Sequence, residues 1–169
     1  MRETWISFEE EPPDEAAVRE QIATQGARYP WLVADDGALL GYAYATSHRT
    51  RAAYRWSVDV SVYLHERARG RGVGRALYAR LLALLTAQGF HRAYAGIALP
   101  NDASVGLHRA MGFVQNATYH EVGFKHGAWH DTVWLERDLS PSISPREPVP
   151  VSALPAQMTA AEPLDVRPA

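Results

Sequence analysis

The sequence contains no cysteine among its 169 residues. This absence excludes a thiolate nucleophile, an acyl-enzyme on cysteine, disulfide bonds and a cysteine-ligated zinc ion. No apolar run approaches the roughly 20 residues of a membrane-spanning helix, and acidic residues stand near the N-terminus where a secretory signal would be basic and then apolar. The net charge of −2 gives no basic excess for binding nucleic acid or a membrane surface. We therefore expect a cytoplasmic protein without a nucleic-acid or membrane partner.

What the sequence does contain is a succession of strand and helix signals. Alternating apolar residues indicate strands, and apolar residues at helical spacing before a glycine indicate helices. We predict strands over residues 4–8, 29–34, 38–45, 55–64 and 94–99, two more around a turn at 124–131, and helices between Asp14 and Gly26, over 73–88 and over 103–111. From residue 140 onward, seven prolines in thirty residues preclude regular structure. The chain is therefore divided into a domain, 1–139, and a disordered or loosely docked tail, 140–169.

Three glycines and three arginines crowd the stretch Ala68-Arg-Gly-Arg-Gly-Val-Gly-Arg-Ala76, between a strand and a helix. Backbone N–H groups of such a turn converge on one point, where the helix dipole adds positive potential, so the loop fits a phosphate or diphosphate. A nucleoside-triphosphate loop would need Gly-Lys-Ser/Thr, and a dinucleotide loop would need a glycine where Arg75 stands, so both are disfavoured. A tight turn without a ligand remains the structural alternative, but its arginines would repel one another at a helix N-terminus.

The run Arg69-Gly70-Arg71-Gly72-Val73-Gly74 resembles the Arg/Gln-x-x-Gly-x-Gly/Ala loop by which the GCN5-related N-acetyltransferases (GNAT) hold the pyrophosphate of acetyl-CoA. Stretches at 29–34, 87–90, 99–102 and 123–131 resemble the phosphinothricin and methionine sulfoximine acetyltransferase branch. The resemblance runs from about residue 4 to residue 139. It implies an α+β fold (α/β three-layer), with a mixed, mostly antiparallel sheet flanked by helices. Family members begin with one more strand and helix ahead of residue 2, so we expect a mis-assigned start.

The resemblance implies acetyl-CoA as cosubstrate and no metal. The cofactor-binding residues that it implies are Val62, Tyr63 and Leu64 at a strand end, Arg69, Gly70, Arg71, Gly72, Val73, Gly74 and Arg75 in the loop, and Asn101 and Ser104 after the next strand. His120, His126 and His130 are not paired with carboxylates on one helix face, so we predict no zinc site.

Direct attack of an amine on a thioester needs a base, N–H donors for the carbonyl oxygen and a proton for the departing thiolate. Asp59, on the polar face of the strand before the loop, is the candidate base; the related enzymes carry Glu there, so a bridging water would extend the shorter side chain. His108, seven residues after Asn101, is the candidate acid. The structural alternatives are a salt-bridged strand carboxylate and a packed helix histidine.

The resemblance also implies an acceptor site for a small amino acid such as phosphinothricin or methionine sulfoximine. The residues predicted to bind this substrate are Phe8, Arg51, Tyr54 and Lys125, with the arginine fork matching a carboxylate. Branch members are homodimers, so a homodimer is expected here. Two alternatives stay open: a different amine such as a polyamine, which the acidic run 9–11 would attract, and a catalytically silent CoA-binding module.

Overall fold

The computed structural model describes residues 4–140 and 142–160. Its helices are α1 (Glu15–Gln25), α2 (Val73–Gln88), α3 (Asp102–Ala110) and α4 (Ala156–Thr159). Its strands are β1 (Trp31–Asp35), β2 (Leu39–Ser47), β3 (Ser57–Leu64), β4 (Arg92–Ala98), β5 (Val114–Lys125) and β6 (Ala128–Asp138). Short 3-10 turns lie at Ala52–Tyr54, Glu66–Ala68 and Val151–Ala153. Within the described ranges, no helix combines the length and hydropathy required to cross a membrane.

The six strands form one sheet in the order β1-β2-β3-β4-β6-β5. Every neighbouring pair is antiparallel except β3 and β4, which run parallel. Parallel neighbours require a crossover, and helix α2 provides it. The predicted mixed, mostly antiparallel sheet with flanking helices is therefore confirmed.

Helix α2 covers the apolar face of the sheet. Leu77, Leu81 and Leu85, one turn apart, are at most 1% exposed and belong to the same core cluster as Val58 and Val60 of β3. Each such burial contributes about 1.5–3 kcal/mol. The alternation of β3 then directs its odd-numbered side chains to the opposite, polar face, as its sequence predicts.

The bounds of α2 agree with the sequence prediction because glycine stands just outside each end. Gly72 before the helix has a φ of 79° and Gly89 after it has a φ of 90°, both in the left-handed region. The N–H of Gly89 bonds back to carbonyls of the last turn, which ends the helix. The glycine-rich loop is thus the start of α2.

The strand predicted over residues 4–8 is absent: residues 5–7 form bends, residues 4 and 8 have no regular structure, and the sheet begins at Trp31. A buried lysine holds this segment instead. The ammonium group of Lys125 donates to the carbonyls of Ser7 at 2.6 Å and Glu9 at 2.7 Å. The backbone of residues 7 and 9 therefore bonds to a side chain rather than to a strand edge.

The prediction that prolines preclude regular structure after residue 140 is wrong for the 3-10 turn Val151–Ala153 and for α4. Residues 142–160 also bond to the domain. Gln88 of α2 donates from Nε2 to Val149 at 2.8 Å, and the indole of Trp56 donates to the carbonyl of Arg146 at 2.8 Å. Side chains of the domain thus donate to backbone carbonyls of this proline-rich segment. Residues 1–3 and 161–169, at the ends of the two predicted segments, lie outside the described residues.

Candidate active site

The sheet opens between its two parallel strands. The β3–β4 ladder consists of three pairs and ends at Asp59 and Tyr94, although β3 continues to Leu64 and β4 to Ala98. At opposite ends of the β2–β3 ladder, the N–H of His65 bonds to the carbonyl of Leu40 and the N–H of His48 to that of Ser57. Backbone hydrogen bonding alternates along an antiparallel pair. The N–H and C=O groups of odd residues in β3 therefore bond to β2, and those of even residues are directed toward β4 and the gap. The backbone N–H groups of Val62 and Leu64 are thus directed into the opening.

The loop beside this opening is built for an anion. Gly70 and Gly72 have φ values of 71° and 79°. Among the described residues, a Cβ at Gly70 would meet nothing within 4 Å, and no side chain caps the N-terminus of α2. The first-turn N–H groups of a helix have no intrahelical acceptor and concentrate positive potential. These unfilled donors fit the diphosphate that the sequence predicts.

Three arginines surround the same loop. Arg69, Arg71 and Arg75 are exposed, and their guanidinium groups form no hydrogen bond or ion pair with any described residue. Arg67, just before them, differs because it pairs with Asp36 at 3.1 Å. Guanidinium groups without a protein partner beside uncapped helix amides are suited to phosphate oxygens.

Gly74 lies at the wall of the opening, where three elements pack closely. A Cβ built at Gly74 would lie 3.1 Å from Leu64 Cδ1 and 3.2 Å from Leu107 Cδ2. Strand β3, helix α2 and helix α3 therefore meet at this point. The predicted cofactor residues of β3 and α2 are brought together around one gap.

Asn101 and Ser104 have structural bonds at the start of α3. The side chain of Asn101 accepts from the N–H of Ser104 at 3.2 Å and caps the helix. The amide nitrogen of Asn101 is not used in this cap. The cap fixes the loop after β4, on which a cofactor contact by Asn101 would depend.

Asp59 is paired with a residue that the sequence did not single out. Its Oδ1 lies 2.6 Å from Nδ1 of His48, which follows β2 directly. Burial raises the pKa of the Asp59 carboxyl, and the His48 hydrogen bond lowers it in part. A polar residue beside the hairpin was visible in the sequence, but its contact with Asp59 depends on the β2–β3 register across the turn 48–56.

Aromatic rings hold the imidazole of His48. It stacks on Tyr94 with ring centroids 4.3 Å apart, and Tyr54 and Trp134 meet it edge-on at 6.0 and 6.2 Å. Arg49 places its guanidinium 5.9 Å from the Trp134 ring centroid. The structure thus brings two of the predicted residues, Asp59 and Tyr54, into contact with one histidine.

His108 lies in the core and not in an open cleft. His108 is 3% exposed. Its Nδ1 is 2.7 Å from the carbonyl of Ser104, and its Nε2 is 2.9 Å from the hydroxyl of Tyr78. A carbonyl only accepts, so Nδ1 carries the proton and Nε2 accepts from Tyr78. Burial lowers the pKa of His108, which favours this neutral form. Both ring nitrogens are therefore engaged inside the core. The role of His108 as an acid stays a prediction.

The other predicted substrate residues are dispersed. Phe8 lies against Gly123, where a Cβ would overlap its ring, and its centroid is 6.4 Å from that of His130. The donors of Lys125 serve the carbonyls of residues 7 and 9, so its observed role is to hold this segment. Arg51 is exposed at the start of the turn that carries Tyr54 and has no side-chain partner among the described residues.

A second group of aromatic residues lines a depression on the same polar face. Tyr42 stacks with Tyr63 at 5.3 Å, and Tyr44 stacks with Trp31 at 4.2 Å. Glu9 and residues of α1 complete the lining. Burial raises the pKa of Tyr63, so its hydroxyl stays protonated. No cluster of three His, Asp or Glu side chains within the described residues could hold a metal ion.

Comparisons with known proteins agree with this geometry. The model of the acetyltransferase (GNAT) domain family matches residues 8–134. A phosphinothricin N-acetyltransferase from Alcaligenes faecalis is 47% identical over 143 residues, covering 83% of this chain and 73% of that protein. An L-methionine sulfoximine/L-methionine sulfone acetyltransferase from Pseudomonas aeruginosa is 40% identical over 124 residues, covering 72% and 71%.

A solved structure is similar over the same region. It is a GNAT superfamily phosphinothricin acetyltransferase from Sinorhizobium meliloti in complex with acetyl-CoA, with a TM-score of 0.80 and 42% identity. The match covers 88% of this chain and 83% of that protein.

Proposed function

The chain belongs to the GNAT family of acetyl-CoA-dependent N-acetyltransferases, and we propose that its acceptor is the amino group of a small amino acid of the phosphinothricin or methionine sulfoximine kind. The observation that carries the proposal is the position of Asp59. It is the last residue of β3 that pairs with β4, so a carboxylate stands on the polar face where the sheet opens. The two relatives named above, a phosphinothricin and a methionine sulfoximine acetyltransferase, share 47% and 40% of the aligned residues with this chain.

The residues of the opening divide the work of this reaction. The uncapped amides at the start of α2, with Arg69, Arg71 and Arg75, hold the diphosphate. Bound acetyl-CoA supplies the acetyl group as a thioester. The N–H groups of Val62 and Leu64, directed into the gap, stabilise negative charge on an oxygen there. Asp59 provides the negative charge that favours removal of a proton from the amine.

Arg51 and Tyr54 are the proposed contacts for the acceptor carboxylate. They share one short turn, Tyr54 lies beside the Asp59–His48 pair, and the guanidinium of Arg51 is free of described partners. A bidentate arginine contact to a carboxylate is stronger than a neutral hydrogen bond, so Arg51→Lys is expected to raise KM for the amino acid more than it lowers kcat.

The test is thiol release from acetyl-CoA by the purified chain. L-phosphinothricin, L-methionine sulfoximine, methionine sulfone, the ordinary amino acids and spermidine serve as acceptors. We expect turnover with the first three. Turnover with spermidine alone would favour a polyamine, for which Glu9 beside the rings of Tyr42 and Tyr44 is the structural support. Binding of CoA with no turnover would favour the silent module.

The proposal extends to assembly and location. Val122, Phe124 and Trp129 expose 51–59% of their surface on the β5–β6 hairpin, and a second copy would cover them. We propose a homodimer that uses this patch, with light scattering of the purified chain as its test. We also propose that the acetyltransferase domain is 1–139 and acts in the cytoplasm, where acetyl-CoA is available.

A further inference from the structure

We infer that His48 is the residue that takes the proton from the acceptor amine, and that Asp59 acts through it by fixing the imidazole. The inference rests on the proposed function and deepens it. It assigns the base to a residue outside β3, and it makes Asp59 a positioning residue. The support comes from the contacts of the two side chains and from the state of the second ring nitrogen.

The contact with Asp59 determines the tautomer of His48. Its Nδ1 lies 2.6 Å from Oδ1 of Asp59. An ionised carboxylate can only accept, so Nδ1 carries a proton and, in a neutral ring, Nε2 has the free lone pair. This is the arrangement in which a carboxylate orients a histidine base on many unrelated folds.

The Nε2 atom of His48 is available to accept a proton. This nitrogen has no hydrogen-bond partner in the described part of the chain, and it does not belong to the buried polar atoms that lack one. It therefore reaches solvent. His108 provides the contrast, because both of its nitrogens are bonded inside the core.

The imidazole of His48 is preorganised by the rings around it. The ring of His48 stacks on Tyr94 and meets Tyr54 and Trp134 at its edges, and its side chain is only 13% exposed. A base fixed on three sides loses little entropy when it reacts. The short side chain of Asp59 ends at His48, so the imidazole extends the reach of the carboxylate into the cleft, where a water would otherwise be needed.

The proposed reaction conserves protons and electron pairs. The lone pair of the amine nitrogen forms a bond to the carbonyl carbon of the thioester, and the carbon–sulfur bond breaks with its electron pair on sulfur. The proton lost by nitrogen passes to Nε2 of His48, and Asp59 stabilises the imidazolium. The thiolate takes a proton from water, and the imidazolium returns its proton to solvent, so the products are the amide and the free thiol.

The charged and titratable groups that face His48 come from each neighbouring element. They are Asp59 of β3, Tyr94 of β4 and Tyr54 of the 3-10 turn, and the cation of Arg49 lies over Trp134 of β6. A proton on Nε2 would occupy the lone pair that takes the proton of the amine, so we expect the rate to fall toward acidic pH.

The experiment compares His48→Gln with the wild type in kcat/KM for the amino acid across pH 5.5–9.5. Glutamine can still donate to Asp59 but cannot take a proton. We expect a loss of roughly 100-fold or more near neutral pH, an unchanged Kd for acetyl-CoA, and a deficit that shrinks as the pH rises. The matched control is His120→Gln, which removes an exposed histidine held 2.9 Å from Asp131 and should leave the rate unchanged.

A second readout does not depend on turnover. Nitrogen-15 NMR of the imidazoles should show His48 protonated at Nδ1 and not at Nε2 in the wild type, with this preference lost in Asp59→Asn. Added imidazole should restore part of the rate in His48→Ala.

Each failure has a distinct meaning. Near-wild-type turnover by His48→Gln with its acidic limb intact would overturn the assignment and return the base to Asp59. A proton on Nε2 in the wild type would overturn it as well. No thiol release by the wild type with any acceptor would overturn the proposed function, and the proton step with it.

Discussion

Replacing Tyr78 by phenylalanine removes one hydroxyl from the core and tests what His108 does. Tyr78 is fully buried, and its hydroxyl donates over 2.9 Å to Nε2 of His108. The carbonyl of Ser104 already occupies Nδ1, so in the variant Nε2 loses its donor. A buried polar atom left without its partner costs about 1–3 kcal/mol of unfolding free energy. In a chain of this length that corresponds to roughly 2–12 °C in Tm.

The catalytic consequence separates two roles for His108. If it is a packed residue, kcat per folded molecule should stay within a few-fold of the wild type. If Tyr78 and His108 relay a proton to the departing thiolate, kcat should fall by roughly 100-fold or more. The kcat values of the wild type and of the variant are measured at a temperature below the onset of unfolding. Tyr29→Phe is the control, because the hydroxyl of Tyr29 accepts from Arg28 at 3.2 Å and makes no contact with His108 among the described residues.

The pH dependence of the unfolding free energy is a second test of the structural role of His108. Burial lowers the pKa of His108 below the ordinary value of about 6.5. As the pH falls below that value, the unfolded chain binds a proton that the fold resists, so the unfolding free energy falls. The fall should be smaller in His108→Leu. An equal slope in both proteins, or a large loss of kcat in Tyr78→Phe with an unchanged Tm, would refute the structural role.

Two further substitutions test the loop and the tail. Arg71→Gln removes an exposed cation without a described partner, so we expect the Kd for CoA to rise about tenfold or more in calorimetry with Tm nearly unchanged; equal Kd values would contradict the anion site. Gln88→Leu removes donors to the carbonyls of Arg28 at 2.7 Å and Val149 at 2.8 Å. It should cost about 1–3 kcal/mol and expose residues 142–160 to protease, and a cleavage rate equal to that of the wild type would contradict this anchoring role.

Local signals determined the elements around the cofactor loop. Helix α2 begins and ends where the sequence predicts, because glycines at both ends adopt positive φ and no other residue does so at low cost. The polar face of β3 followed from alternation alone, since successive side chains of a strand point to opposite sides. The family resemblance rested on these same local motifs, and the comparisons confirmed it.

Other features needed the tertiary structure. Residues 4–8 looked like a strand, but a strand also needs a free edge to pair with, and Lys125 takes the carbonyls of this segment instead. The prolines of the tail predicted a lack of regular structure, whereas contacts with α2 and Trp56 fix residues 142–160 on the domain. In both cases long-range hydrogen bonds outweighed local preference.

The sequence by itself determined where the helix amides would converge and that Asp59 would face the polar side. These follow from glycine conformations and from the two-residue period of a strand. The tertiary structure decided that His48 meets Asp59 and that His108 is enclosed by Tyr78 and Ser104. Such pairings depend on the strand register across a turn and on the packing of α3 against α2, and no local pattern encodes either distance.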